Sequence, residues 1–382
     1  MLKLIVIQAQ FGDCLMLQSS DGSNPISILI DGGPSQTYEK HLKPTLNTVL
    51  HSTKLDLVIL SHIDNDHVLG LLDLFEAIKR EKDSGGSEVL RVTNLWHNSF
   101  SDLIRSNSYA IKLMRSLFSS NQFFTFGNDN KIVELPAISA LKGISEGRDL
   151  TKLAQNLNIP INSQFGSNPI IFEEEEYKII ELGNIKFHIL GPTQKSLDSL
   201  KKIWADWERQ HLQAEVTNHD FQAIQALDSS ITNLSSVMFL MESEGKRLLF
   251  SGDGLGDNII ESLSKRELLD SQGRLHVDVL KVPHHGSERN VSEQFFETVT
   301  ADVYVISADG RYDNPSFLTL KWIIENGHKY NRKTTILATN KTDNIEKALQ
   351  IYDPIVFKYK FIFLEPQADF FELDVQTDIM IR

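Results

Sequence analysis

The stretch that most constrains this chain is Leu60-Ser61-His62-Ile63-Asp64-Asn65-Asp66-His67, which sets His62, Asp64, Asp66 and His67 directly after the apolar run Val58-Ile59-Leu60. Leu55 to Ser61 reads as a buried strand, and Leu69, Leu72, Phe75 and Ile78 give Val68 to Lys82 the apolar spacing of a helix. The four potential metal ligands therefore sit on a strand-to-helix turn. In extended backbone His62, Asp64 and Asp66 share one face, and the start of the helix brings His67 round to them. An N-capping Asp beside two solvated histidines is the plainer interpretation of a lone His-x-Asp. The density of ligands here favours a metal site.

Further ligands stand at other strand ends. Arg247 to Ser251 is a short strand that runs into Gly252-Asp253-Gly254, where glycine permits close approach of backbone to an ion. Val277 to Val282 is another, ending in Pro283-His284-His285-Gly286-Ser287. His97 follows the strand-like Val89 to Val92 region.

In this order of motifs the chain resembles the metallo-β-lactamase superfamily, whose signature is a His-x-His-x-Asp-His turn followed by a separate His, an Asp and a final His. The resemblance implies that His62, Asp64 and His97 hold one metal, that Asp66, His67 and His285 hold the other, and that Asp253 bridges both. Asp64 departs from the pattern, standing where most of the family has a second histidine. That variant looks like the hydrolase domain of the ComEC type, found in proteins of bacterial DNA uptake. Gln10-Phe11-Gly12-Asp13-Cys14, Ile28-Leu29-Ile30-Asp31-Gly32-Gly33, Leu280 to Ser287 and Asn314-Pro315-Ser316 point to the same branch. The resemblance runs from about Leu2 to Asn340 and is weak over Lys195 to Leu227.

The implied chemistry is hydrolysis at two divalent ions, zinc or manganese, roughly 3.5–4 Å apart, which lower the pKa of a bound water and polarise the scissile group. Asp66 would orient the resulting hydroxide. Three carboxylates and that hydroxide would cancel the four positive charges of two ions, and the extra oxygen donor suits manganese as well as zinc. His285 is the preferred ligand of the His284-His285 pair. His284 is then either a donor to the leaving oxygen or an orienting neighbour. Asp31 is expected behind a ligating histidine, because the resemblance sets its turn beside the metals.

The expected fold is α/β, a four-layered αββα sandwich with the ligands at strand tips along one edge. Residues 1–345 would form the hydrolase domain, with a helical insertion at 195–227, and 346–382 an extension that adds strands or offers a partner surface. Lys112 to Phe126 also has a helical pattern. No apolar run approaches the ~18 residues of a membrane span, and the apolar start is too short for a signal peptide. Cys14 stands alone, which excludes an internal disulfide and fits a reducing compartment. A cytoplasmic protein is expected. Cys14 itself reads as a small apolar strand residue rather than a nucleophile.

The net charge is −13, whereas a protein that grips long duplex DNA gathers lysine and arginine for phosphate contacts. Local groups such as Arg105, Lys112 and Arg115, or Lys281 and Arg289, could line one groove. The balance favours phosphodiester hydrolysis of DNA, RNA or a smaller phosphodiester. Ester, lactone, thioester or β-lactam hydrolysis on the same metals is the alternative enzyme. A catalytically silent or partner-dependent module in a larger complex, including a homo-oligomer, is the alternative class.

Overall fold

The computed structural model describes residues 1–20, 25–50, 52–86, 89–99, 136–175, 177–211, 230–377 and 379–380. The residues between Lys112 and Phe126, the basic group Arg105, Lys112 and Arg115, and residues 212–227 of the expected insertion lie outside the described residues.

Apolar alternation along the strands builds two sheets with two covered faces each. The strands are β1 (Leu2–Ile7), β2 (Leu15–Ser19), β3 (Ile26–Ile30), β4 (Lys54–Leu55), β5 (Leu57–Ile59), β6 (Arg91–Val92), β7 (Leu95–Trp96), β8 (Ile180–Leu182) and β9 (Ile185–Gly191), then β10 (Met238–Ser243), β11 (Lys246–Phe250), β12 (Leu275–Lys281), β13 (Val299–Ile306), β14 (Thr334–Ala338), β15 (Tyr359–Phe363), β16 (Phe370–Asp374) and β17 (Ile379–Met380). One large sheet has the order β17-β16-β1-β2-β3-β5-β7 and the other β15-β14-β13-β12-β11-β10-β9-β8, while β4 and β6 pair by themselves in a small two-stranded sheet.

Along β1, Leu2, Leu4 and Val6 point toward the second sheet, meeting Phe187, Phe239 and Val279 in the central core. Ile5 and Ile7 point outward, onto the helix Asn65–Asp83 through Leu71, Leu74 and Phe75. On the second sheet Leu240, Leu249 and Leu280 face outward against Ile259, Phe295 and Leu320 from its own helices. Three apolar interfaces separate four layers, so the fold is the αββα sandwich that the period of two implies.

The helix Gln194–His211 covers part of the expected insertion, and its Leu197 and Leu200 are buried in the outer core of the first sheet. The expected division between 345 and 346 falls inside the helix Asp343–Ile351, whose Ile345 and Ala348 are buried. Beyond it, β15 pairs with β14 in one sheet and β16 with β1 in the other. The C-terminal residues are thus built into both sheets. Among the described residues no helix is long and apolar enough to cross a membrane.

Parallel pairing decides where chemistry can collect. β3, β5 and β7 run parallel, as do β11 through β15. Their carboxyl ends open into Asp31, His62, His97, Asp253 and His285, so a ligand site at the strand tips follows from topology.

Candidate metal centre

Two backbone approaches bring the tips of the two sheets together. Val237 N–H donates to Ser61 O at 2.8 Å. Gly252 is in the left-handed region at φ 49, and a Cβ there would lie 2.9 Å from Ser61 Cβ. Asp64 occupies the N-cap position of the helix Asn65–Asp83, yet its side chain makes no capping bond. Its Oδ1 is buried with no hydrogen-bond partner among the described residues, so that oxygen is free for another task, against the simple capping interpretation.

Three imidazoles are set the same way round. His67 Nδ1 lies 2.9 Å from Asp31 Oδ2, which can only accept. His285 Nδ1 lies 2.9 Å from the Ser307 carbonyl. His62 Nδ1 lies 3.1 Å from Ser61 Oγ, whose own proton goes to Asp31 Oδ2 at 2.7 Å. In each ring, when neutral, the proton therefore belongs on Nδ1 and the lone pair on Nε2. All three Nε2 atoms are buried and have no hydrogen-bond partner among the described residues.

The bare nitrogens converge on acids. His62 Nε2 is 3.5 Å from Asp64 and 3.7 Å from Asp253. His67 Nε2 is 3.5 Å from Asp253 and 3.9 Å from Asp66. His285 Nε2 is 3.3 Å from Asp66 and 3.5 Å from Asp253. The contacts fall into two groups that share Asp253, whose Oδ1 is also buried and unpartnered. Burial pushes the Asp253 and Asp66 carboxyls up, but the neighbouring histidines outweigh it and hold both below the usual carboxylate range. Imidazole lone pairs and ionised oxygens with no other partner are what a divalent cation requires.

The turn after β12 places two histidines at once. His284 and His285 both have left-handed backbone, at φ 48 and φ 55, a conformation that costs non-glycine residues roughly 1–3 kcal/mol each. His285 points inward. His284 keeps a quarter of its side chain exposed, with Nε2 3.5 Å from Asp253 Oδ2. Its Nδ1 donates to Asn290 Oδ1 at 2.6 Å, since the Asn290 amide nitrogen is engaged with the Asp253 carbonyl.

His97 is the sequence candidate that the structure does not draw into this cluster. It is buried, and its Nε2 lies 3.1 Å from the Gly147 carbonyl, while Nδ1 has no hydrogen-bond partner. Among the described residues no ion pair joins it to Asp64. Burial pulls its pKa down to about 4, so the ring is neutral. Lys281 also departs from expectation. It is fully buried against Asp13 at 2.5 Å and lines no groove, whereas Arg289 is exposed.

Sequence reasoning missed Asp13, Ser61, Asn290 and the Ser307 carbonyl. Asp13 lies within a stretch that the resemblance had singled out, but no spacing relates it to the other ligands. One donor atom from each of Asp13, His67, Asp253 and His285 lies within 4.8 Å of the others. Cys14 is buried, and burial, Asp31 and Asp13 raise its thiol well above the usual value, which leaves it protonated and unreactive.

Residues 12–102 match the model of the metallo-beta-lactamase superfamily. Over 93 residues the chain is 31% identical to ComE operon protein 3 of Bacillus subtilis (strain 168), a match that covers 24% of this chain and 11% of that protein's length. Among solved structures, the metallo-beta-lactamase fold protein YhfI from Bacillus subtilis aligns over 97% of this chain and 99% of its own, at 13% identity and a TM-score of 0.41. A diphosphatase of the PhnP family aligns over 98% of each chain, at 12% identity and a TM-score of 0.40. The matched segment contains the whole turn from His62 to His67, and over that segment the chain is similar to the metallo-beta-lactamase superfamily.

Proposed function

We propose that the chain is a metal-dependent hydrolase that cleaves a phosphodiester with two divalent ions, zinc or manganese. The observation that carries this reading is the common setting of His62, His67 and His285, each with Nδ1 committed to a neighbour and Nε2 bare against Asp253. His62 and Asp64 would hold one ion, and Asp66, His67 and His285 the other, with Asp253 shared; His97 would join the first only by turning its ring away from the Gly147 carbonyl. Two such ions supply a water of lowered pKa and polarise the scissile bond.

The side chains supply the rest. Asp66 is held ionised between His67 and His285 and would accept a hydrogen bond from an attacking water and fix its direction. Asp31 and Ser307 hold the imidazole protons on the far side of their rings. His284, partly exposed and steadied by Asn290, would donate to a leaving oxygen. Asp64 in place of histidine, as in the ComEC-type branch, supports a phosphodiester over an ester or lactone. The net charge of −13 favours a short or single-stranded substrate over long duplex.

The test is hydrolysis of bis-p-nitrophenyl phosphate by chelator-stripped protein reconstituted separately with manganese and zinc. Turnover should require the metal and should fall by at least ~10³-fold in Asp253→Ala and in Asp64→Ala. Absence of turnover with two ions bound per chain would sink the phosphodiesterase reading and favour an ester or lactone substrate, or a partner-dependent module.

A further inference from the structure

A second buried carboxylate lies behind a strand-tip histidine. Asp13 and Lys281 are each 1% exposed, and Lys281 Nζ lies 2.5 Å from Asp13 Oδ2. Asp13 Oδ1 is 3.4 Å from His285 Nδ1, whereas Asp66 and Asp253 face Nε2 of the same ring. Asp13 thus stands behind His285 on the side away from the acids, but the hydrogen bond from Nδ1 goes to the Ser307 carbonyl, so Asp13 acts on the ring by charge and packing where Asp31 binds the His67 proton directly.

The pair also touches the rest of the centre through backbone. Asp13 N–H donates to the Asp66 carbonyl at 3.2 Å. A Cβ on the adjoining Gly12 would fall 2.0 Å from that same oxygen, so the two loops are in contact without room for a side chain. Ser307 Oγ donates to Gly12 O, while the Ser307 carbonyl takes the His285 proton. The Lys281 carbonyl accepts from Ser251 Oγ at 3.0 Å, on the segment that leads to Asp253. One ion pair therefore joins the Asp66 turn, the Asp253 tip and the His285 turn. A buried ion pair is weak evidence for stability, because apolar residues of similar volume serve a core as well. Its retention among ligands calls for a local reason. Lys281 cancels the charge of Asp13, so a carboxylate can orient His285 without adding a net negative charge.

We infer that the Asp13–Lys281 pair is a positioning device that holds His285 against Asp66 and so shapes the pocket of the second divalent ion. The inference rests on the metallo-hydrolase reading above. The competing account makes Asp13 a direct ligand through Oδ1, which has no hydrogen-bond partner among the described residues; against it, Oδ2 is held by Lys281 and Oδ1 lies on the Nδ1 side of His285, whereas Asp66 and Asp253 face Nε2.

The experiment measures metal stoichiometry and affinity, by elemental analysis and calorimetric titration with manganese and with zinc. It compares chelator-stripped wild-type protein, Asp13→Asn, Lys281→Met, Lys281→Arg and the double variant Asp13→Leu/Lys281→Met. Circular dichroism establishes that each is folded, and the double variant, which leaves no unpaired charge, covers the case in which the single variants unfold. The wild type should take two ions. Asp13→Asn, Lys281→Met and the double variant should keep the first and bind the second about 10–100-fold more weakly. Lys281→Arg should recover most of that affinity. A folded double variant with both ions at wild-type affinity would overturn the inference while leaving the metallo-hydrolase reading intact. Loss of the second ion in Asp13→Asn but not in Lys281→Met would overturn it in favour of direct ligation. A wild type that takes no ion would remove the hydrolase reading and the inference together.

Discussion

At His67 the position of one proton decides which nitrogen faces the acids. Asp31 holds that proton and also accepts from Ser61 N–H and Ser61 Oγ–H. Asp31→Asn would present an amide N–H to at least one of these donors. Divalent-ion affinity should then drop by about 10–100-fold in chelator competition, and an unchanged affinity would speak against the orienting role. The cluster also sets a pH dependence for the ion-free protein. Burial lowers the pKa of His67 and His285, but the surrounding carboxylates overcome it and raise both well above 6.5. Their contribution to stability is complete below pH 6.5 and is lost as pH rises through the raised folded values. Asp66 and Asp253 are depressed, so their contribution is complete above pH 3.8 and is lost as pH falls through the lowered values. In the ion-free protein the cluster should therefore stabilise most between these limits. The urea midpoint should decline as pH rises above 6.5 toward the raised folded values, and a midpoint that rises with pH there would contradict this assignment. The ligands from His62 to His67, Asp253 and His285 were legible because each is a charged or imidazole side chain at the end of an apolar run. The Ser307 carbonyl was not, since a backbone acceptor leaves no mark on residue type.

Glycine contacts fix how the elements meet beneath the centre. A Cβ on Gly70, inside the helix that carries Asp66 and His67, would lie 1.9 Å from Gly32 O, beside Asp31. The helix and the Asp31 turn are thus pressed together backbone to backbone. Gly70→Ala should exceed the ~1–3 kcal/mol of ordinary overpacking and, by displacing the first turn of the helix, should weaken ion binding as well. Gly85→Ala is the control. Gly85 has φ 77 and nothing within 4 Å of a Cβ, so it should cost only the ~1–2 kcal/mol of left-handed backbone and leave ion affinity unchanged. Urea unfolding and metal titration on both variants check this, and equal effects would refute the close-approach argument. The strands and the helix after His67 could be anticipated from period-two and helical apolar spacing. The left-handed pair His284-His285 could not, because nothing in Pro-His-His-Gly specifies two successive positive φ values.

Across the whole molecule, the centre exists because parallel strands from both sheets end at the same edge. The four layers could be inferred from alternation and from the resemblance. The return of β16 to lie beside β1 could not, since strand partners so distant in sequence are selected by packing. Asp13 and Lys281 meet for the same reason, across the whole sandwich, and Lys281, which with Arg289 was expected to line a groove, is internal. The central claim is that the three bare imidazole nitrogens and their shared aspartate are metal donors. Crystals grown with manganese or zinc and measured at the metal's absorption edge test it most directly. The account predicts two anomalous peaks, each about 2.0–2.3 Å from its ligands, one beside His62 Nε2, the other beside His67 and His285 Nε2, both against Asp253. Anomalous density elsewhere, or none at this cluster with metal in excess, would contradict it.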